Sequence, residues 1–379
     1  MYLAEQFKFK ENECYRPTRM EINTRFVREN FHDIKKLAGN SEVIAVVKGN
    51  AYSHGIIPIA KVLYEEGCKW FGVAIIEEAL ALRDAGIDRN ILVLGAAPRA
   101  GAEAIVSNNI ICSCGSLEFA SALAEAGNKL SKPARVHIKI DSGMGRLGFF
   151  PDVAAEAARK LFEMGLSIEG AFTHFATSEE KNLDYTRWQF SRFMEAVNSI
   201  EASGIRIPFK HVCNSGAILS CPEMYLDGVR TGKMLYGIPL PGKTRPFPLR
   251  TIVEVKTAIA DIKTLPARSG ISYGLRYTTR GEQVIGIIPM GTYDGFTRLN
   301  PNPEVLVRGV RVPAVGTICM DHTMIDLTDI PDAAIDDEVV IIGKQGNEEI
   351  TLTEVVNKLN TIYSQTLALF PFRMPRFYK

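Results

Sequence analysis

The sequence predicts an α/β fold in which an N-terminal (β/α)₈ TIM barrel is followed by a mainly β C-terminal domain. From residue 19 onward, short apolar runs rich in Val and Ile alternate with amphipathic stretches, which indicates a parallel sheet. Eight such runs, each followed by a crossover, give the strand count of a closed barrel. After about residue 245 the pattern changes to alternating strands with little helix signal before about residue 352, which indicates a separate β domain.

The eight apolar runs predict the barrel strands in chain order. The stretches between them, such as IIPIAKVLYEEG and EEALALRDAG, have a helical pattern, and several end in Gly, the usual residue just after a helix. An open, doubly wound sheet is the alternative, because a strand count from one sequence is easily wrong by one or two. The runs are EVIAVVK (42–48), KWFGVAI (69–75), ILVLGAA (91–97), IICSCG (110–115), RVHIKID (135–141), IEGAFTH (168–174), FKHVCN (209–214) and LDGVRTG (226–232).

The domain boundaries follow from the same change of pattern. The segment TRPFPLR (244–250) is basic and rich in proline, which is typical of a linker. We therefore expect a barrel domain over residues 19–245 and a β domain over residues 246–379. Residues 1–18 are expected to associate with the β domain.

Composition places the chain among ordinary globular proteins. Its 379 residues are 46% hydrophobic and 23% charged, and the 44 Lys and Arg residues balance 43 Asp and Glu residues. The formal net charge of +1 does not indicate binding to nucleic acid or to an anionic membrane. No apolar run reaches the length of a membrane span. Seven scattered cysteines without a CxxC motif, and an N-terminus without a signal pattern, favour reduced thiols in the cytoplasm.

Polar residues follow several predicted strands at the ends where barrel enzymes carry their sites. Lys48 ends the first strand, Arg146 follows the fifth, His174 ends the sixth and Arg230 lies in the eighth. A desolvated lysine is a nucleophile toward carbonyls, although a lysine whose head reaches solvent is the plain alternative. The Gly-rich and small polar turns beside these strands can hold a phosphate. Together the residues suggest pyridoxal 5′-phosphate as the cofactor.

Several of these residues also have a purely structural interpretation. His174 could be a satisfied histidine at the barrel rim. Asp141 and Arg146 could form an ion pair, and Met320 could fill the core or an interface. No histidine or cysteine spacing indicates a metal site.

A series of motifs runs along the chain in a fixed order. AVVKGNAYSHG and KIDSGMGRLGF contain Lys48 and Arg146, and they are followed by FTHFATSEE, NSGA, VRTGKMLYG, ISYGLRYT, VGTICMDHTMIDLTD and RMPRFY. These motifs, in this order, resemble those of the alanine racemases, which are fold-type III pyridoxal-phosphate enzymes; AVVKGNAYSHG resembles the family's cofactor-lysine motif, and KIDSGMGRLGF resembles its strand-five motif. The resemblance extends from YRPTRMEIN to RMPRFY, and it implies a racemase of a small amino acid, above all of L- and D-alanine.

The resemblance implies that Lys48 binds the cofactor covalently and acts as acid and base on one face of the substrate. Arg230 would face the pyridine nitrogen, and because an arginine does not readily give up a proton, this nitrogen would stay unprotonated. Such an arrangement favours return of the proton over transamination. The phosphate would be held by Tyr52, Ser215, Gly232 and the backbone of Lys233.

The resemblance also assigns residues around the substrate. Arg146 would steady the cofactor's phenolic oxygen and the substrate carboxylate, and Lys139 matches a lysine that the family often carbamylates to position that arginine. His174 would lie between the cofactor site and the arginine at the pyridine nitrogen. Met320 and Asp321 would reach the active site of the partner subunit, because the family forms a head-to-tail homodimer with shared sites.

The chain departs from the family at the second acid/base. The family has a tyrosine in a P-[IV]-G-Y-x-D-G stretch, whereas the stretch here is PMGTYDG (289–295), with Thr292 in the tyrosine's place and Tyr293 one residue later. A threonine hydroxyl is a far weaker acid than a phenol, and its side chain is shorter. Phe372 also stands where the family has a tyrosine whose hydroxyl usually reaches the phosphate. Both changes enlarge the expected pocket or make it less polar.

Three hypotheses follow from this departure. In the first, Tyr293 fills the acid/base role and the protein is an alanine racemase. In the second, the larger pocket accepts a bulkier amino acid for racemisation, or a β-hydroxy amino acid for retro-aldol cleavage. In the third, the protein is a cofactor-binding amino-acid sensor and not an enzyme; the intact Lys48, Arg146, His174 and Arg230 argue against it.

Overall fold

The computed structural model describes residues 14–240, 242–244 and 246–379 and divides into two compact units. The barrel unit comprises Arg25–Ala51 and Gly55–Thr251. The β unit comprises the described residues up to Thr24, the short segment Tyr52–His54, and Ile252–Lys379. The first strand of the described residues, β1 (Arg19–Ile22), belongs to the β unit.

Eight parallel strands close into a barrel, which confirms the predicted fold class. The last strand pairs with the first, with Ala45 opposite Thr231, so the sheet has no free edge. Four neighbouring strands contribute to one buried hydrophobic cluster, which consists of Ile44, Trp70, Leu92 and Ile111. The strands are β2 (Glu42–Val46), β3 (Trp70–Val73), β4 (Asn90–Val93), β5 (Ile111–Cys114), β6 (Arg135–Lys139), β7 (Ser167–Phe172), β8 (Phe209–His211) and β9 (Gly228–Thr231).

Helices connect these strands in sequence and cover the outside of the barrel. The first of them buries Val27, Phe31, Ile34 and Ala38, a spacing that places one apolar stripe against the sheet. Gly39 follows this helix at a positive φ of 60°, as predicted for the residue after a helix end. The elements are α1 (Thr24–Ala38), the single left-handed turn α2 (Lys48–Tyr52), α3 (Ile56–Glu65), α4 (Ile76–Asp84), α5 (Ala102–Ser107), α6 (Leu117–Leu130), α7 (Ala154–Glu163), α8 (Asp184–Ala202) and α9 (Ser215–Ser220).

The β unit is built on a large, mostly antiparallel sheet, as the period-two pattern predicts. Its strand order is β11-β14-β17-β16-β15-β18-β10-β1-β20, and β19 pairs with β18. The strands and helices are β10 (Val253–Ala258), β11 (Asp261–Leu265), β12 (Gly270–Ile271), β13 (Tyr277–Thr278), β14 (Gln283–Ile288), β15 (Glu304–Val307), β16 (Val310–Val315), β17 (Thr323–Asp326), β18 (Glu338–Gln345), β19 (Glu348–Ile350), α10 (Leu352–Lys358), α11 (Tyr363–Ala368) and β20 (Arg376–Tyr378).

The division into units differs from the predicted boundaries at both ends of the barrel. The expected barrel domain began at residue 19, but Met20 lies opposite Val255 of β10 and Arg376 of β20, so β1 belongs to the β unit. A short strand gives no sequence signal for the sheet that it joins. At the other end the barrel unit continues to Thr251, beyond residue 245, since the Asn30 amide hydrogen-bonds the backbone of Arg250.

The expected association of residues 1–18 with the β domain falls partly outside the described residues, which begin at residue 14. Within them, Arg16 pairs with Asp294 at 2.8 Å, and the Thr18 hydroxyl lies 2.8 Å from that of Thr257. Both contacts are internal to the β unit. Across the described residues, the helices are all too short or too polar to cross a membrane.

Candidate active site

Lys48 begins a turn of unusual backbone conformation just after β2. All five residues of Gly49–Ser53 have positive φ values between 52° and 69°. A left-handed conformation costs about 1–2 kcal/mol for each residue other than glycine, and only Gly49 is a glycine here. Strain of this kind persists where the surroundings fix it, which is typical of functional sites.

The carboxylate of Glu78 in α4 supports this turn. Its Oε1 accepts hydrogen bonds from the backbone N–H of Gly49 at 2.6 Å and of Asn50 at 3.1 Å. Its Oε2 accepts one from Ala74, just after β3, at 2.8 Å. The Asn50 side chain in turn accepts from the Ile56 N–H at 2.8 Å, where α3 begins. Hydrogen bonds therefore link the lysine turn to the segment after β3 and to the start of α3.

The surroundings of Lys48 lower its pKa and so make its amine easier to deprotonate. Burial lowers the pKa of Lys48, the guanidiniums of Arg146 and Arg230 lower it further, and Glu78 opposes them. Lys48 is exposed to solvent in the single chain. Its amine is therefore only partly desolvated, by the protein atoms around it at the end of β2. A neutral amine is the nucleophilic form of lysine.

Arg146 lies in a loop organised around Asp141. The Asp141 carboxylate accepts four backbone N–H groups, those of residues 143–146, at 2.8–3.1 Å. Burial alone would raise the pKa of Asp141, but these four hydrogen bonds outweigh it and lower the pKa. The contact between Asp141 and Arg146 runs through the arginine's backbone N–H and not through its guanidinium. Among the described residues, the Arg146 guanidinium has no hydrogen-bond or ion-pair partner.

Arg230 is buried inside the barrel and held by five acceptors. Its Nη1 donates to the carbonyl and to Nδ1 of His211, at 2.7 and 2.8 Å. Its Nη2 donates to the carbonyls of Thr173 and Val212, at 2.7 and 2.9 Å, and lies 3.4 Å from Nδ1 of His174. Burial lowers the pKa of Arg230 to about 10, so it is still a cation at neutral pH.

Because a guanidinium only donates, Arg230 fixes the proton positions on the histidines beside it. Nδ1 of His211 must accept, so the proton of this ring is on Nε2, which lies 2.9 Å from Nδ1 of His137. The same logic leaves the proton of His174 on Nε2, away from the arginine. Burial, followed by the charges of Arg230, Arg146, Lys139 and Lys48, lowers the pKa of His174 to about 2. Burial also lowers the pKa of His137 to about 3 and that of His211 well below its ordinary value, so all three rings are neutral at pH 7.

Lys139 is almost fully buried next to this cluster. Its Nζ donates to the carbonyl of Ile140 at 3.1 Å and lies 5.2 Å from the centre of the Phe172 ring. Burial, and then Arg230 and Arg146 against the opposing charge of Asp141, lower the pKa of Lys139 to about 7. A large share of this amine is uncharged near neutral pH.

Ser215, Gly232 and Lys233 lie at the ends of the last two barrel strands. The hydroxyl of buried Ser215 lies 3.4 Å from that of Thr231, and Gly232 follows directly. The Lys233 ammonium contacts both oxygens of Glu179, at 2.6 and 2.7 Å. This leaves the backbone of Lys233, and not its side chain, for a ligand.

The barrel unit thus brings together an excess of positive charge. Lys48, Lys139, Arg146 and Arg230 influence one another electrostatically. The oxygens of the nearest carboxylates, those of Asp141 and Glu78, accept hydrogen bonds from backbone N–H groups. Such a set fits an anionic ligand that carries an electrophilic carbonyl, and pyridoxal 5′-phosphate is one.

The β unit carries the other predicted site residues on adjoining loops. The N–H of Thr292 donates to the carbonyl of Cys319 at 2.9 Å, and that of Tyr293 donates to Met320 at 3.0 Å. A side chain at position 291 would clash with these carbonyl oxygens, so Gly291 permits the contact. Tyr52 also belongs to this unit.

Arg373 holds Tyr293 and Asp321 in this arrangement. It donates to both oxygens of fully buried Asp294, at 2.9 and 3.0 Å, and to Asp321 at 2.8 Å. Its guanidinium lies 4.3 Å from the centre of the Tyr293 ring, a cation–π contact. Tyr293, Met320 and Phe372 are each more than half exposed in the single chain.

The predicted site residues therefore fall into two groups, one in each unit. Sequence reasoning found the residues that carry charge at strand ends but missed those that hold them, which are Glu78, His137, Asp294 and Arg373. Their partners are backbone groups or residues distant in sequence, for which a single sequence gives no signal.

A closed barrel with a lysine, a histidine and two arginines at its strand ends defines an enzyme of the (β/α)₈ class with a cationic site. The model of the alanine racemase N-terminal domain matches residues 22–239, and that of the C-terminal domain matches residues 252–378. The chain belongs to the alanine racemase family, as its motifs predict.

Relatives of known structure or name agree with this membership. "Alanine racemase 2" of Caldanaerobacter subterraneus subsp. tengcongensis is 42% identical over 96% of this chain and 95% of that protein. The solved alanine racemase of Clostridium difficile 630 is 36% identical, with a TM-score of 0.91 over 97% of this chain and 96% of that one. A histidine racemase from Leuconostoc mesenteroides subsp. sake is 28% identical, with a TM-score of 0.89 over 97% and 99%.

Proposed function

We propose that this protein is a pyridoxal-phosphate-dependent alanine racemase that interconverts L- and D-alanine. The observation that carries this conclusion is the cluster at the barrel mouth. There Lys48, with a pKa lowered by burial and by Arg146 and Arg230, lies on a strained and well-supported turn. The full-length similarity to alanine racemases supports the substrate.

Pyridoxal 5′-phosphate, when bound, supplies a sink for the electron pair left at the substrate's Cα. Lys48 would attach the cofactor through Nζ. Arg230 would face the pyridine nitrogen as a donor that keeps its proton, with His174 neutral beside it. The phosphate would be bound by Ser215, Gly232, the backbone of Lys233 and Tyr52.

Inversion at Cα needs one proton carrier on each face of the substrate. Lys48 Nζ would remove or deliver the proton on one face, and the Tyr293 hydroxyl on the other. Thr292 is the alternative carrier on the second face, but its hydroxyl is far less acidic than a phenol. Arg146, whose guanidinium is not paired to an acid among the described residues, would bind the substrate carboxylate.

Two copies of the chain would form a homodimer in which the β unit of one completes the barrel site of the other. The large exposed side chains of Tyr293, Met320 and Phe372 support this arrangement, because such side chains are enriched at interfaces. Asp321 would contribute a charge to the shared site, held by Arg373.

Lys139 would be carbamylated and would position Arg146. The support is its pKa of about 7, since the uncharged amine is the form that reacts with carbon dioxide. The amine and carbon dioxide give a carbamate and a released proton, and the new negative charge suits the surrounding guanidiniums.

Racemisation of a bulkier amino acid is the second candidate. It is favoured by the small Thr292 and the apolar Phe372, and by the likeness to a solved histidine racemase. Retro-aldol cleavage of a β-hydroxy amino acid would use the same enlarged space. We place the protein in the cytoplasm, where its seven unpaired cysteines would stay reduced.

The direct test is chiral chromatography of L-alanine incubated with the protein and added cofactor. We expect D-alanine to accumulate toward an equal mixture, and Lys48→Ala to form none. Borohydride reduction of the wild type should leave the cofactor mass on the peptide that contains Lys48. L-Histidine and L-serine, assayed in parallel, test the second candidate; faster turnover of either than of alanine would replace the proposed substrate.

A further inference from the structure

We propose that Glu78 is the positioning residue of Lys48: its carboxylate holds the left-handed turn after the lysine and so sets where the Lys48 side chain leaves the barrel rim. The effect on catalysis rests on the proposed function of Lys48, whereas the effect on the turn does not. Nothing in the residue pattern singles out Glu78, which is the second of two adjacent glutamates in the first turn of α4.

The geometry of the turn makes its backbone N–H groups depend on this one carboxylate. As at the start of any helical turn, the first N–H groups of this left-handed turn have no acceptor within the turn itself and point to the same side. Those of Gly49 and Asn50 converge on Oε1 of Glu78, at 2.6 and 3.1 Å. The next N–H, of Ala51, returns to the carbonyl of Val47 at 2.8 Å. An acid outside the turn therefore stabilises the strained conformation at its first two residues.

The second oxygen of Glu78 fixes the carboxylate itself. Oε2 accepts the N–H of Ala74, the first residue after β3, at 2.8 Å. Strands β2 and β3 are neighbours in the barrel, with Val46 opposite Gly72. Glu78 thus links the turn that follows β2 to the first residue after the neighbouring strand β3.

The negative charge of Glu78 also acts on the Lys48 ammonium. The charges that face Lys48 are Arg146 from the loop after β6, Arg230 from β9 and Glu78 from α4. Burial and the two arginines lower the pKa of Lys48, and Glu78 alone among these charges raises it. Removal of its charge should therefore move the titration of Lys48 to lower pH.

The neighbouring glutamate provides a matched control. Glu77 lies in the same turn of α4, is exposed, and has no hydrogen-bond partner among the described residues. Glu77→Gln and Glu78→Gln change the same charge at adjacent positions. An amide at position 78 offers one acceptor oxygen instead of two, so it cannot satisfy both Gly49 and Ala74. Glu78→Asp retains the charge but shortens the side chain.

Hydrogen–deuterium exchange of the full-length protein measures how strongly the backbone amides of the turn are protected. Glu78→Ala removes both acceptor oxygens, so in this variant we expect the amides of Gly49 and Asn50 to exchange on the order of ten- to a hundredfold faster, the range for a lost hydrogen bond to a charged group. Glu77→Ala should exchange like the wild type. Unchanged protection in Glu78→Ala would overturn the proposal.

The pKa of Lys48 can be measured by competitive acetylation across pH. The protein is first freed of cofactor with hydroxylamine. Glu78→Gln should shift its titration to lower pH, Glu78→Asp should stay closer to the wild type, and kcat for alanine should fall about tenfold or more in Glu78→Gln. If the turn loosens while titration and kcat stay at the Glu77→Gln values, Glu78 is merely structural and the proposal fails. If the wild type does not racemise alanine, the proposed function fails. The hydrogen–deuterium exchange and acetylation experiments still decide the role of Glu78 in that case.

Discussion

The proposed function assigns the second face of the substrate to the phenol of Tyr293, with the hydroxyl of Thr292, one residue earlier, as the alternative. Tyr293→Phe keeps the ring beneath Arg373 and removes the hydroxyl alone, so the fold around it should be unchanged. We expect this variant to lose racemisation by a factor of about 10²–10⁴, the usual contribution of a general acid/base. Thr292→Ala should stay within about threefold of the wild type.

Steady-state assays of both variants by chiral chromatography check this assignment. Circular dichroism of each variant provides the control for folding. The reverse pattern, with Thr292→Ala inactive and Tyr293→Phe active, would contradict the role of Tyr293 and assign the second face to the threonine.

Lys139 is expected to carry carbon dioxide as a carbamate. The protein equilibrated with ¹³C-bicarbonate at about pH 8 should show a carbamate carbon signal, since a pKa of about 7 leaves most of this amine uncharged there. The signal should fade below about pH 6, where protonation of the amine removes the reactive form. A signal that persists in Lys139→Gln would place the carbamate elsewhere.

At the scale of elements, helix α8 holds two loops at the end of the barrel, the loop after β6 and the segment after β7. Near the start of α8, the Tyr185 hydroxyl donates to the carbonyl of Gly143 at 2.7 Å, in the loop that carries Arg146. The buried Gln189 amide accepts from the N–H of Ala176 at 2.8 Å and donates to the carbonyl of His174 at 3.1 Å. The loop that carries Arg146 and the backbone of His174 are thus held by the same helix.

The barrel could be predicted from the sequence because its buried strands read as continuous apolar runs separated by amphipathic helices. Lys48, His174 and Arg230 could be predicted because each interrupts such a run at its C-terminal end. The left-handed turn could not, since four of its five residues are not glycine and its stability comes from Glu78, distant in sequence. The sheet that β1 joins was missed for the same reason, because its partners lie more than 200 residues away.

The arrangement of the candidate site residues in the β unit could not be derived from the sequence. Motifs located Thr292, Tyr293, Met320 and Phe372, but the sequence could not show that Arg373 stacks on the Tyr293 ring. That contact depends on a salt-bridge network with Asp294 and Asp321, whose members come from three separate segments.

For the whole molecule, the proposed homodimer has a specific consequence, because each site would combine two chains. Lys48→Ala and Tyr293→Phe should each be inactive alone. If they are mixed under conditions that exchange subunits, each mixed dimer has one site with both changes and one with neither. About a quarter of wild-type activity should return for random pairing in a twofold dimer.

Sedimentation velocity provides the control for this mixing, and should give twice the 41.9 kDa chain mass for the wild type and both variants. No recovery of activity in mixtures that have demonstrably exchanged subunits would show that each site is built from a single chain.

The most direct measurement follows L-alanine in D₂O with the cofactor-loaded protein, using proton NMR for deuterium at Cα and a chiral assay for the D-enantiomer. The account predicts that D-alanine appears and that its Cα carries deuterium, because the proton is removed on one face and a solvent-derived one is delivered on the other. Deuterium at Cα of L-alanine with no D-alanine, even at long times, would contradict a two-face racemase. It would mean that Lys48 acts alone and that the Thr292–Tyr293 segment has lost the second acid/base.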